Sequence, residues 1–260
     1  MNYKYITMKT EDRVLTISLN RPPTNPLNGE FGRELFSAFS AAEQMEGVNV
    51  VVITSAQEKA FIAGADIKEM AEQSPAEAET FSKLLQGANN ILNRMRKIVI
   101  AAINGHALGG GCELALACDY RFMVAGRALI GLPEAGLGIM PGAGGTQRLP
   151  RLVGLSRALD ILVCGKTMGP DEALAIGLVD RVIPPEQFQQ EVEAFAKKLA
   201  SGAGKALGSI KAAVYEGIDH HLEQALAIER KHVAENNRTA DAKEGLRSFI
   251  EKRKPAFVSA

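Results

Sequence analysis

The feature that most constrains this chain is the unbroken apolar run Ile98–Ile103, which leads within two positions into Gly105-His106-Ala107-Leu108-Gly109-Gly110-Gly111. An apolar run of strand length without alternation fits a strand covered on both faces. Such a strand needs packed layers on either side of it. The glycines that follow let the backbone turn sharply and let another group come close to the main chain. Val48–Thr54 repeats the pattern, and Phe61-Ile62-Ala63-Gly64-Ala65-Asp66-Ile67-Lys68 supplies a second glycine-bearing turn soon after it.

The rest of the first half alternates between strand and helix periods. Arg13–Leu19 places Leu15, Ile17 and Leu19 on one face, and Tyr120–Val124 reads as a further strand. The prolines of Arg21–Asn28 make that stretch a loop. Asn28 is placed to cap a helix whose stripe is Phe31, Leu35, Phe36 and Phe39. Further helices are expected over Ala76–Met95, Cys112–Ala117, Thr146–Val153 and Ser156–Val163, with Ser156 as an N-cap. From Pro185 onward the spacing is helical, with Leu222, Ala225 and Leu226 on one stripe and Leu246, Phe249 and Ile250 on another. The fold class expected is α/β: a core over residues 1–200 and a helical C-terminal part over 201–260.

Charge and cysteine usage exclude several functions. Thirty basic residues balance thirty acidic ones over 260 residues, so there is no basic surplus of the kind nucleic-acid binders carry. Three scattered cysteines make neither a disulfide framework nor a Cys-x-x-Cys metal site. No apolar run approaches a membrane span, and the N-terminus lacks a signal-peptide core, so a cytoplasmic protein without membrane or nucleic-acid partners is expected. Gly165-Lys166-Thr167 lacks the earlier glycine of a P-loop, and no Gly-x-Gly-x-x-Gly follows a strand. The four histidines lack metal-ligand spacing, although His106 lies in a glycine-rich turn.

Two turns and two carboxylates remain. Glycine-bearing turns at neighbouring strand ends suit an oxyanion hole, in which backbone N–H groups converge on one oxygen; each alone is equally an ordinary βα connection. Glu113 falls in the first turn of its helix, where a carboxylate is favoured by the macrodipole, so capping and catalysis both fit it. Glu134 is the lone charge within Ala128–Met140, a setting that raises a carboxyl pKa if the group is buried and leaves an ordinary loop glutamate if it is not.

Taken together these residues resemble the crotonase superfamily, specifically its enoyl-CoA hydratases. Ala63-Gly64-Ala65-Asp66-Ile67-Lys68-Glu69-Met70 and Ile100–Ala115 are similar to the family's two oxyanion segments. Gly131-Leu132-Pro133-Glu134, Pro141-Gly142-Ala143-Gly144-Gly145-Thr146-Gln147-Arg148-Leu149 and the tail Glu244–Pro255 follow in the family's order. The resemblance runs from about Val14 to Phe257. It departs at Asn25-Pro26-Leu27-Asn28, where the family has alanine before the leucine, and in one extra residue between Asp119 and Glu134.

The resemblance implies a ββα-superhelix core whose C-terminal helices build homotrimers, often paired into homohexamers. It implies an acyl-CoA thioester substrate, with coenzyme A as part of that substrate and no separate cofactor or metal. The thioester oxygen would accept from the N–H groups of Ala65 and Gly110. Glu113 would activate water and Glu134 would donate the proton, while Ala63, Asp66, Ile67, Lys68 and Gly109 would contact CoA or substrate. An enoyl-CoA isomerase is the alternative within the superfamily, since isomerases often keep only one carboxylate. A non-catalytic RNA-binding or scaffold role would share the fold, but the charge balance and the carboxylate pair speak against it.

Overall fold

The structure, a computed structural model, describes residues 2–258. The chain begins with strands β1 (Ile6–Glu11) and β2 (Val14–Leu19), helix α1 (Gly29–Gln44), strands β3 (Val50–Ser55) and β4 (Ala60–Ala63), and helices α2 (Ile67–Glu72) and α3 (Pro75–Arg94). Next come β5 (Ile98–Ile103), β6 (His106–Leu108), α4 (Gly110–Leu116), β7 (Tyr120–Val124), β8 (Ile130–Gly131) and a 3₁₀ turn at Pro133–Leu137. Then follow α5 (Gly145–Val153), α6 (Leu155–Val163), β9 (Thr167–Met168), α7 (Pro170–Ala175) and β10 (Arg181–Ile183). Helices α8 (Pro185–Ala200), α9 (Gly204–Gly217), α10 (Leu222–Asn236) and α11 (Ala240–Ile250) complete it.

Two sheets form. The larger is six-stranded in the order β1-β2-β3-β5-β7-β10, antiparallel only between β1 and β2. The smaller is four-stranded, β4-β6-β8-β9, antiparallel only between β8 and β9. Three times the chain leaves the larger sheet, enters the smaller and then forms helix: β3 to β4, β5 to β6, and β7 to β8. The α/β class and the repeating ββα path therefore agree with expectation.

Side-chain alternation explains the layers. Val51, Ile53, Val99 and Ala101 face a core shared with Phe31, Leu35 and Leu92 of α1 and α3. Val50, Val52, Ile100 and Ala102 face Phe188, Val192 and Ala196 of α8. Both faces of the central strands are thus dry, which is why their sequences do not alternate.

Beyond shifts of one or two residues at element ends, three glycine-bearing features differ from the sequence reading. The glycine-rich segment after β5 is not a bare turn, because its middle pairs as β6. Helix α4 starts at Gly110 rather than Cys112, since Gly109 at φ 53° makes the turn and releases Gly110 into the helix. Gly154, at φ 85° between α5 and α6, occupies the N-cap position expected of Ser156, because the chain reverses there in a conformation that favours glycine.

Helix α9 is fixed to the sheet through Lys211. Its buried Nζ donates to the carbonyls of Leu92 (2.6 Å) and Lys97 (2.9 Å) and pairs with Asp119 at 2.8 Å. The stripe of α11 faces outward in the single chain, with Phe249 83% and Ile250 79% exposed.

Gly111 shows how closely the layers pack. A Cβ there would overlap the Ile62 carbonyl oxygen, a backbone atom that cannot swing away. Gly111→Ala should lower stability by roughly 1–3 kcal/mol, the usual range for overpacking. Denaturant unfolding measures this, and an unchanged midpoint would contradict the packing described.

Candidate active site

The site forms where the β4 and β6 ends meet. Ala63 N–H donates to the Thr24 carbonyl at 3.0 Å, so an unbroken strand would turn Ala65 N–H toward that same loop. Gly64, at φ 97°, changes the parity. Leu27 then donates to the Gly64 carbonyl (2.9 Å) and accepts from Asp66 N–H (2.7 Å), as in a parallel ladder. Ala65 N–H is consequently left on the opposite edge, toward β6. Pro26-Leu27, where the sequence departs from the family pattern, is thus the strand-like partner of this turn. Asn25 anchors it from full burial, donating to Ser55 Oγ (2.7 Å) and the Phe61 carbonyl (2.8 Å).

The second turn lies directly against the first. Gly109 N–H donates to the Gly131 carbonyl at 3.0 Å, and the first intrahelical bond of α4 runs from Glu113 N–H to the Gly109 carbonyl, also 3.0 Å. Gly110 opens the helix ahead of that bond, so its N–H has no acceptor within the helix. A Cβ on Gly109 would lie 3.6 Å from Gly64 Cα and 3.0 Å from Glu134 Oε1. One point therefore gathers both turns and one carboxylate.

Glu113 is buried at 2% exposure. Its carboxylate reaches out of α4 to another loop. There Oε1 accepts from Ala143 N–H (2.7 Å) and Gly145 N–H (2.8 Å) of the loop before α5. Burial pushes its pKa up, while these N–H groups and the Arg148 charge act against that rise. Glu134 sits in the 3₁₀ turn, and among the described residues no donor reaches its buried Oε2. Burial pushes its pKa to about 7, with the Glu113 charge adding to the rise. Its apolar sequence setting thus corresponds to burial in the fold, and the extra residue upstream leaves it facing Gly109.

Other expected positions spread out from this centre. Asp66 pairs with Arg21 at 2.9 Å, and the Arg21 hydrogen bond holds its carboxyl below the usual range. Ile67 and Lys68 open α2 on the exposed side. His106 has a structural role, its Nδ1 accepting from Leu129 N–H at 3.1 Å. Ala143, Gly145 and Arg148 stand in the sequence only within a glycine-rich motif, whose glycines are its one sign of available backbone donors. Among the described residues no cluster of three or more His, Cys, Asp or Glu side chains is placed to hold a metal ion, and no helix is long and apolar enough to cross a membrane.

The Glu134 environment has a measurable consequence. Its pKa of about 7 in the folded protein lies above the ordinary glutamate value of 4.5, so the folded state holds an extra proton between those values. This contribution to stability is complete below about pH 4.5 and is lost as pH rises through about 7. The stability of wild type relative to Glu134→Gln should therefore decline across that window by roughly 2–3 kcal/mol. Urea unfolding between pH 5 and 8 tests it; parallel curves for the two proteins would contradict it.

Comparison with known proteins agrees with this geometry. Residues 9–260 match the family model described as Enoyl-CoA hydratase/isomerase. A crotonyl-CoA hydratase of Syntrophomonas wolfei is 42% identical over the whole of both chains. A short-chain-enoyl-CoA hydratase of Clostridium acetobutylicum is 40% identical over 98% of this chain and 97% of its own. The crystal structure of an enoyl-CoA hydratase from Bacillus anthracis superposes with a TM-score of 0.94 at 37% identity, covering 99% of this chain and 100% of that one. With two glycine turns meeting beside two buried glutamates along a ββα path, this chain belongs to the enoyl-CoA hydratase/isomerase family.

Proposed function

We propose that this protein is an enoyl-CoA hydratase, adding water across the 2,3 double bond of a trans-2-enoyl-CoA thioester in acyl-CoA degradation. The observation that carries the reading is the pair of buried glutamates in unlike surroundings. Addition of water needs one base for the attacking water and one acid for the carbon next to the carbonyl. Glu113 takes a proton from water as its oxygen bonds to C3. The electron pair of the double bond moves toward the thioester, and Glu134 delivers a proton to C2. Glu113, surrounded by N–H groups and Arg148, suits the anion; Glu134, buried with an unpartnered oxygen, suits the protonated acid.

The N–H groups of Ala65 and Gly110 hold the thioester oxygen while negative charge develops on it. Gly109, lacking a Cβ, leaves room for the acyl group between Gly64 and Glu134. Ala63, Ile67 and Lys68 border the CoA path, and Asp66 shapes it through its pair with Arg21. Coenzyme A enters as part of the substrate, and no metal or further cofactor takes part. The outward apolar faces of α10 and α11, with Leu222 73% and Leu246 63% exposed, support self-assembly through these helices, as a homotrimer or homohexamer. In this reading residues 1–200 are the catalytic core, residues 201–260 the assembly part, and the enzyme works in the cytoplasm.

Kinetics with crotonyl-CoA test the roles. Glu113→Gln and Glu134→Gln should each slow hydration by roughly 10²–10⁴-fold. Gly110→Pro removes one N–H at the first position of α4 and should cost about a hundredfold or more, since the Leu27 side chain must also shift to admit the ring. Retention of near-normal turnover by either glutamine variant would defeat the two-carboxylate reading, and by folded Gly110→Pro the oxyanion assignment.

A further inference from the structure

The donors that reach Glu113 are themselves held from behind. Three consecutive peptide groups lie between Gly142 and Gly145, and each has its carbonyl engaged on the side away from Glu113. The Gly142 carbonyl accepts from Ser82 Oγ (2.5 Å) and Gln86 Nε2 (2.8 Å) of α3. The Ala143 carbonyl accepts from Asn89 Nδ2 (3.0 Å) and Arg148 Nη1 (3.1 Å). The Gly144 carbonyl accepts from the backbone N–H groups of Gln147 (3.1 Å) and Arg148 (2.8 Å) in the first turn of α5. A trans peptide directs its N–H opposite its C=O. Anchoring these carbonyls therefore aims the N–H groups of Ala143 and Gly145 at Glu113 Oε1, with Gly144 N–H facing the same carboxylate.

We propose that Ser82, Gln86, Asn89 and Arg148 are positioning residues for hydration, gripping the Gly142–Gly145 loop so that its N–H groups hold Glu113 as the anion that activates water. This rests on the hydratase reading of the site. Arg148 is itself oriented, donating to Asn93 Oδ1 (3.2 Å) and Asn90 Oδ1 (2.6 Å). The charged or titratable groups facing Glu113 are Arg148 from α5, Glu134 from the 3₁₀ turn and Cys112 on its own helix; Arg121 of β7 acts on Cys112 behind it. The α3 groups that touch the loop or Arg148 are neutral: Ser82, Gln86 and Asn89 on the loop, Asn90 and Asn93 on Arg148. Loosening the loop removes donors that favour the carboxylate form, so the base should be protonated at a higher pH.

The test uses Asn89→Ser, Arg148→Lys, Arg148→Gln and the milder double variant Ser82→Ala/Gln86→Ala, each alone and combined with Glu113→Gln. With crotonyl-CoA, kcat should fall by about 10- to 100-fold in the Asn89 and Arg148→Gln variants while KM changes by less than about threefold. The acid limb of the pH–kcat profile should move to higher pH in these variants and in the Ser82/Gln86 variant, and Arg148→Lys should lose less than Arg148→Gln. In the Glu113→Gln background the same substitutions should change the remaining rate by less than about twofold, because their effect passes through Glu113. Carbon-13 NMR titration of the Glu113 carboxyl should show its pKa rising in every loosened variant. Losses that multiply in the Glu113→Gln background, or an unmoved Glu113 titration, would overturn the inference. Absence of hydration by wild type would instead sink the hydratase reading, and the NMR titration would still decide the anchoring.

Discussion

The site depends on two backbone segments lying closer together than side chains would permit. Gly109 faces Gly64 at a distance where a single added carbon would be in contact, and Gly111 presses on the Ile62 carbonyl with no room for one. These contacts bring β6 and α4 against the end of β4. They also set directions. The positive φ at Gly64 turns Ala65 N–H away from Leu27, and the one at Gly109 starts α4 so that Gly110 N–H is left outside the intrahelical ladder. A side chain at either turn would be strained by its positive φ, and at Gly109 it would also press on Glu134 Oε1, so the convergence of donors that the proposed oxyanion role needs favours glycine at both.

On that frame two identical side chains acquire different properties. Both glutamates are buried, and burial pushes the pKa of each upward. At Glu113 the loop between Gly142 and Gly145 returns hydrogen-bond donors that water would otherwise supply. At Glu134 nothing among the described residues donates to the inner oxygen. The contrast comes from neighbouring backbone rather than from the side chains, and the proposed division into base and acid rests on it. The division also bears on which element controls the chemistry. Glu113 belongs to α4, yet its environment is set by α3 and α5.

Much of this was legible in the sequence, for identifiable reasons. The runs that became β3 and β5 are dry on both faces, so their composition alone marks them. Glu134 stands out because no charge surrounds it within Ala128–Met140. What escaped was non-local. The second sheet is built from strands as short as Ile130–Gly131, below the length at which periodicity carries information. The donors to Glu113 lie 30 and 32 residues further along the chain, and no spacing rule links them to it. Leu27 pairs with Ala65 across a proline-rich loop whose composition indicates only irregular structure. The helical stripes of α10 and α11 were readable as apolar faces, and in the single chain they point outward.

The central claim is that two glutamates, one held as anion and one as acid, add the elements of water to an enoyl thioester. Incubating the wild-type protein with crotonyl-CoA in ¹⁸O-labelled water and analysing the thioester by mass spectrometry tests it most directly. The account predicts one labelled oxygen at C3 of a 3-hydroxyacyl product, formed at a rate that collapses when either glutamate becomes glutamine. A product whose double bond has moved, with no label incorporated, would contradict it.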